Sequence, residues 1–226
     1  SADGHSSGAR YAFFTLIRGG VSPLNYVSLR ARCACLQAYR DPHIDDVLFH
    51  EGNVAEDLWG TLTRSWGFPH ALTLVDARAY GAFRTPEAAR DLRYPRIRMH
   101  GEYSMGYRHM CRFFTMQWMS ALGAYEYVMR VDEDALGHGM PLDVFGYMRE
   151  RGWMYSYALE TDERHDETVD TLQPWVNAYA TRTGLTTVSV SKIFFTNLFA
   201  TRTDWWSQPL VRAYLDAVDS SNGIYV

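Results

Sequence analysis

The chain has one lysine, Lys192, three cysteines, and a formal charge of −4 from 22 basic and 26 acidic residues. That balance gives no basic field to hold nucleic acid, so DNA and RNA are excluded as partners. No apolar run approaches the roughly 18–20 residues that span a bilayer. Ser1 to Arg10 has no signal-peptide core, so a membrane anchor or targeting segment is expected outside this stretch. Three cysteines cannot all pair, and Cys33 and Cys35 point away from each other on an expected helix, which excludes a disulfide framework. No Asn-x-Ser/Thr site occurs at any of the asparagines. There is also no P-loop, no His-Glu-x-x-His pair and no complete nucleophile elbow or dinucleotide-binding loop.

What the chain does contain is ordinary globular material, 47% hydrophobic and 21% charged, in 226 residues. It is expected to form one large domain over residues 11–226 after a flexible segment at 1–10 rich in Ser and Gly. Aromatic residues reach 15%, with 7 Trp and 15 Tyr, more than a core of this size needs, so some are expected to face a ligand. Arginine supplies the other 21 of the 22 basic residues, a side chain suited to bidentate contact with phosphate as well as a product of codon bias.

Strand patterns at Tyr11–Ile17, Asp46–His50, Ala71–Val75, Tyr125–Val131, Trp153–Leu159 and Val188–Ala200 alternate with helical ones. The helices are expected from Pro23 to the Asp41-Pro42 stop, over 53–66, Ser104–Leu122, Pro141–Arg151, Val169–Thr181 and Asp204–Val218, with 85–98 irregular. Such an order implies an α/β fold with a mostly parallel central sheet and helices on both faces. Ligands then bind beyond the carboxyl ends of the strands.

The most informative stretch is Tyr125 to Asp134, an apolar strand that ends in Asp132, Glu133 and Asp134. Asp-x-Asp on an extended chain places two carboxylates on one side about 6–7 Å apart, close enough to share a hard divalent ion. Such an ion neutralises charge on a departing nucleoside diphosphate, the chemistry of a glycosyltransferase. A calcium loop built on Asp132, Asp134, Gly137 and Asp143 is the competing metal reading, weakened by Leu136 at a ligand position and by the strand that precedes it.

Tyr107-Arg-His-Met-Cys-Arg-Phe-Phe114, followed in order by the Tyr125-Glu-Tyr strand with Arg130-Val-Asp132, resembles the fungal Golgi α-1,2-mannosyltransferases of glycosyltransferase family 15. Phe13 to Arg18 and Asn197 through Asp204-Trp205 to Asp216 are similar to the family's first strand and its late strand and helix. The resemblance implies a GT-A-like nucleotide-sugar transferase fold, manganese or another divalent cation as cofactor, GDP-mannose as donor and transfer with retention onto a glycan or glycoprotein acceptor. It also implies a type II protein of the Golgi lumen, with membrane contact only through an anchor outside this chain. Residue by residue, it assigns Asp132 to the metal and nucleotide, Arg18 to the end of the nucleotide-binding strand, Tyr107 to the donor site and Arg130 to the arginine preceding the metal acid. Asp134 joins the metal set from Asp-x-Asp geometry, and Arg108, with Arg130, is the candidate to counter phosphate charge; helix packing alone explains Met110, Cys111 and Phe113, which leaves Tyr107, Arg108 and His109 as the candidates for chemistry on that helix.

Three departures stand against the family pattern. Phe199 replaces the carboxylate expected two residues past Asn197, an acidic Glu160 to Glu167 stretch that reads as a solvated helix start replaces a Tyr-Glu-Tyr segment, and the chain is expected to lack the family's C-terminal end. They keep a second hypothesis open, a non-catalytic structural or carbohydrate-binding relative working with protein partners.

Overall fold

A computed structural model describes residues 10–17, 28–29, 31–32, 35–36, 44–54, 71–84, 105–135, 143–163, 166–221 and 224. Its centre is a six-stranded sheet in the order β3-β2-β1-β4-β8-β5. The strands are β1 Tyr11–Leu16, β2 Ile44–His50, β3 Ala71–Asp76, β4 Tyr127–Val131, β5 Tyr155–Tyr157 and β8 Leu198–Arg202. β1 to β4 pair in parallel, while β8 runs antiparallel to both its neighbours. A separate two-stranded ribbon pairs β6 Glu160–Asp162 with β7 Lys192–Phe194.

The buried strands alternate strictly between faces, as a doubly covered sheet requires. Ala12, Phe14, Val47, Phe49 and Val128 pack on one face against Phe113, Trp118 and Leu122. Tyr11, Phe13, Ile44, Tyr127 and Met129 pack on the other against Leu36, Phe145 and Met148. The first cover is α1 Met105–Arg112, continued by a π-helical turn Phe113–Gln117 and α2 Met119–Leu122. On the second lie α3 Val144–Arg151 and the helical residues around Leu29, Arg32 and Leu36. The Asp143 carboxylate caps α3 by accepting from Gly146 N–H at 2.8 Å, and a Cβ at Gly146 would lie 2.1 Å from that carboxylate. Asp143, the last position of the suggested calcium loop, is thus the N-cap of α3, while residues 136–142 of that loop, Gly137 among them, lie outside the described residues.

Neighbouring carboxylates on β2 serve opposite faces. Asp46 takes a bidentate pair from Arg32, at 2.8 and 2.9 Å, and both side chains are buried. Asp45 accepts from the Tyr125 hydroxyl at 2.8 Å, and that contact with burial holds the phenol well above its usual value.

Four expectations need correction. The single strand over Val188–Ala200 is two, β7 and β8, because the Thr196-Asn197 turn carries the chain from the ribbon to the main sheet. The acidic stretch from Glu160 begins as the exposed strand β6 rather than as a helix start, with the helix α4 running Asp166–Thr183. The last helix is divided at Ser207-Gln208 into α5 Thr203–Trp206 and α6 Pro209–Ser220, with Pro209 opening the second. The long helix over Ser104–Leu122 is broken in register by its π turn, where Thr115 Oγ donates back to Cys111 O at 2.7 Å. The segment at 1–9, Arg18, the turn at 19–20, most of the helix from Pro23, residues 55–66 and 85–98 lie outside the described residues.

Candidate active site

The carboxyl ends of β1, β2 and β4 open into a cavity of about 1020 Å³. Its floor is Leu16 and Ile17 from β1, Glu51 just past β2, and Arg130, Asp132 and Asp134 from the end of β4. One wall is formed by Tyr107, Met110 and Cys111 of α1 with Phe114 and Thr115 of the π turn that continues it. The opposite wall holds Tyr155, Asn197 and Phe199, closed by Trp205 and Tyr214.

Antiparallel β8 is what brings residues some 65 positions apart together. Its pairing sets Phe199 opposite Arg130, and Asp132 N–H donates to Asn197 O at 3.1 Å. Phe199 is 4% exposed and stacks on Tyr155 at 5.3 Å between ring centroids, with Phe14 edge-on at 6.2 Å. The wall where the resemblance expected a carboxylate is thus an aromatic stack.

The Arg130 guanidinium grips Asp132 with two bonds, 2.6 and 2.9 Å, while lying 3.3 Å over the Phe114 ring. Burial pushes the Asp132 carboxyl above its usual value, a shift that Arg130 opposes and nearby Asp134 assists. Behind this strand end, Arg32 Nε donates to the Val131 carbonyl at 2.8 Å, fixing the residue before Asp132.

Among the described residues no group of three or more His, Cys, Asp or Glu side chains could hold a metal. Asp132 and Asp134 do both line the cavity, supply the hard oxygen donors that manganese and magnesium prefer, and leave Asp132 with negative charge that burial makes unfavourable. The residues present therefore fit a divalent ion held by two carboxylates, its other positions left to substrate oxygens and water.

Of the residues singled out in the sequence, Tyr107, Arg130, Asp132 and Asp134 meet around this cavity. Arg108 is buried and is not among its lining residues. His109 faces away, edge-on to Phe83 at 6.1 Å. Met110 and Cys111, assigned by periodicity to packing, line the cavity instead. Glu51 was missed, although its place directly after the β2 pattern was signal enough, since strand ends are where α/β sites lie.

A family model described as glycolipid 2-alpha-mannosyltransferase matches residues 66–226. Core-mannan synthase A from Aspergillus fumigatus, solved in its Mn/GDP form, is similar over 99% of this chain and 70% of its own at 17% identity and a TM-score of 0.72. The mannosyltransferase Ktr4p from S. cerevisiae, in complex with GDP, is similar over 96% of this chain and 62% of its own, with 13% identity and a TM-score of 0.63. The apo form of mouse xyloside xylosyltransferase 1 is similar over 95% of this chain and 75% of its own, at 15% identity and a TM-score of 0.55. The chain thus spans less than two thirds of the yeast protein. Comparison with curated sequences finds no significant match. These likenesses show the GT-A-like fold.

Proposed function

Because the chain belongs to the glycolipid 2-alpha-mannosyltransferase family, we propose that its cavity binds GDP-mannose with a divalent cation and transfers the mannose, with retention, to a hydroxyl of a glycan or glycoprotein. The observation that carries this reading is the convergence of Asp132, Asp134, Arg130 and Tyr107 on one cavity at the sheet's carboxyl edge. The ion, held by Asp132 and Asp134, would neutralise charge on the departing diphosphate.

The chain's own residues have distinct tasks. Arg130 holds the Asp132 carboxylate in one orientation and keeps positive charge on the floor where a diphosphate would lie. Tyr107, 43% exposed at the cavity wall, offers a phenol to the donor. The Phe199–Tyr155 stack excludes water from the remaining wall and offers no carboxylate to form a covalent glycosyl-enzyme. Attack and departure are therefore assigned to the same face: the acceptor oxygen bonds to the anomeric carbon as the carbon–phosphate-oxygen bond breaks, and the acceptor's proton passes to the leaving diphosphate. The Golgi setting of the family extends to this chain as part of the proposal; among the described residues no helix is long and apolar enough to cross a membrane.

Phe199 also favours a second reading, a non-catalytic structural or carbohydrate-binding relative that takes no nucleotide. Calorimetric titration of GDP, GDP-mannose and UDP-glucose into the full-length protein, with and without manganese, separates the possibilities. Metal-dependent GDP-mannose binding that Asp132→Asn abolishes is the expected result. Unchanged donor affinity in Asp132→Asn removes the metal assignment, and a folded protein that binds no nucleotide overturns the donor site.

A further inference from the structure

Glu51 stands directly after β2, on the cavity floor, separated from the acidic end of β4 by the apolar Leu16 and Ile17 of β1. Among the described residues its carboxylate has no hydrogen bond or ion pair, although the side chain is only partly exposed. Arg78, a cation near the same turn, is held bidentately by Asp76 at 2.7–3.2 Å. The turn itself is shaped by Gly52, at a φ of 79°, whose N–H donates to His50 Nδ1 at 2.9 Å. A half-buried carboxylate without a partner is costly, and burial raises its carboxyl above the usual range. That cost falls when a ligand brings hydrogen-bond donors.

The sheet register says which part of a ligand can reach it. Leu16 pairs with Phe49, and Phe14 pairs with Arg130, so Asp132 is level with Phe49, and Glu51 lies two residues further along. Two strand spacings across and two residues along separate the Glu51 and Asp132 backbones by about 12 Å. That span is of the order of the distance between the base of a nucleoside diphosphate and its terminal phosphate. An anion at Glu51 repels phosphate, so only the uncharged, donor-bearing end of such a ligand is compatible with it.

Resting on the donor reading above, we propose that Glu51 is the specificity residue for the donor's nucleoside, its carboxylate accepting hydrogen bonds from paired N–H or O–H groups. Guanine offers such a pair at N1–H and its 2-amino group, and ribose offers another at its cis-diol. Where the guanine edge is the partner, a uracil edge, with one N–H between two carbonyl oxygens, is a poor match and the residue discriminates against uridine donors. A site with a fixed polar partner rejects ligands that cannot satisfy it.

The test is titration of GDP, IDP and 2′-deoxy-GDP into full-length wild-type protein and Glu51→Gln with manganese present, alongside thermal melting without nucleotide. Glu51→Gln is expected to weaken GDP at least tenfold, leaving the nucleotide-free melting midpoint unchanged or raised because an unpartnered charge is gone. If the loss is smaller for IDP, the guanine edge is the partner; if it is smaller for 2′-deoxy-GDP, the ribose is. GDP affinity within about twofold of wild type overturns this assignment and leaves the donor reading intact. A midpoint that falls together with affinity assigns Glu51 to folding and also overturns it. Wild-type protein that binds no nucleotide overturns both readings.

Discussion

Arg32 is the residue whose removal tests most directly how the acidic strand end is held. Its side chain is 0% exposed and that of Asp46 is 3%, so Arg32→Met leaves a buried carboxylate without its two guanidinium bonds. Breaking a buried pair from one side costs about 3–5 kcal/mol. In a domain of this size each kcal/mol moves the melting midpoint by roughly 2–4 °C, so a fall of about 6–20 °C is expected. Arg32→Met with Asp46→Leu should recover most of that loss, because an apolar pair of similar volume carries no stranded charge. It cannot restore the bond from Arg32 Nε to the Val131 carbonyl, so donor affinity should stay several-fold below wild type while stability returns. Urea denaturation of the three proteins gives the energies, and titration with GDP and manganese gives the site. A single variant within about 1 kcal/mol of wild type, or a double variant no more stable than the single, would refute the reasoning.

The other predictions concern the aromatic wall and acid stability. Phe199→Glu gives up about 1.5–3 kcal/mol of aromatic burial and sets a second carboxylate opposite Arg130 in competition with Asp132. Lower stability and lower turnover are expected, and a rise in turnover would sink the same-face mechanism. Burial, opposed by Asp76 at His50 and helped by Arg112 at His109, holds both imidazoles below their usual value. The unfolded chain takes up these protons near pH 6.5 and the folded protein only lower, so their contribution is complete above about pH 6.5 and is lost as pH falls below it. The raised carboxyls of Glu51 and Asp132 act in the opposite sense, so the histidine part is read from the difference in melting between wild type and His50→Asn/His109→Asn. No difference in pH dependence between the two proteins would contradict it.

The parallel half of the sheet was legible because its strands are short apolar runs buried on both faces, and such runs announce themselves. The ribbon was not. Glu160-Thr-Asp162 is acidic and exposed, and its pairing with Lys192 to Phe194 is set across 30 residues rather than by local pattern. The antiparallel course of β8 was hidden for a similar reason: alternation of helix and strand predicts parallel neighbours, and nothing within Leu198–Arg202 encodes direction. In the site, Asp132 and Asp134 could be found because charge at the end of an apolar strand is unusual. Met110 and Cys111 could not, since a helix face lining a cavity and one packed in a core have the same three-four spacing. His109, polar and therefore conspicuous, packs on Phe83.

The place of β8 in the sheet also sets when the site can exist. β4 finds its partner on one side in β1, but its other edge waits for Leu198–Arg202, some 70 residues later. At roughly 5–20 residues per second of synthesis, that edge stays open on the ribosome for about 4–14 s, offering unpaired backbone and the Arg130 strand to any passing extended chain. The same insertion brings Asn197 and Phe199 to the wall opposite α1, which Trp205 and Tyr214 then close. A nascent chain short of Arg202 would have its acidic strand end but no wall facing it, so a nucleotide could report on folding only after β8 has paired.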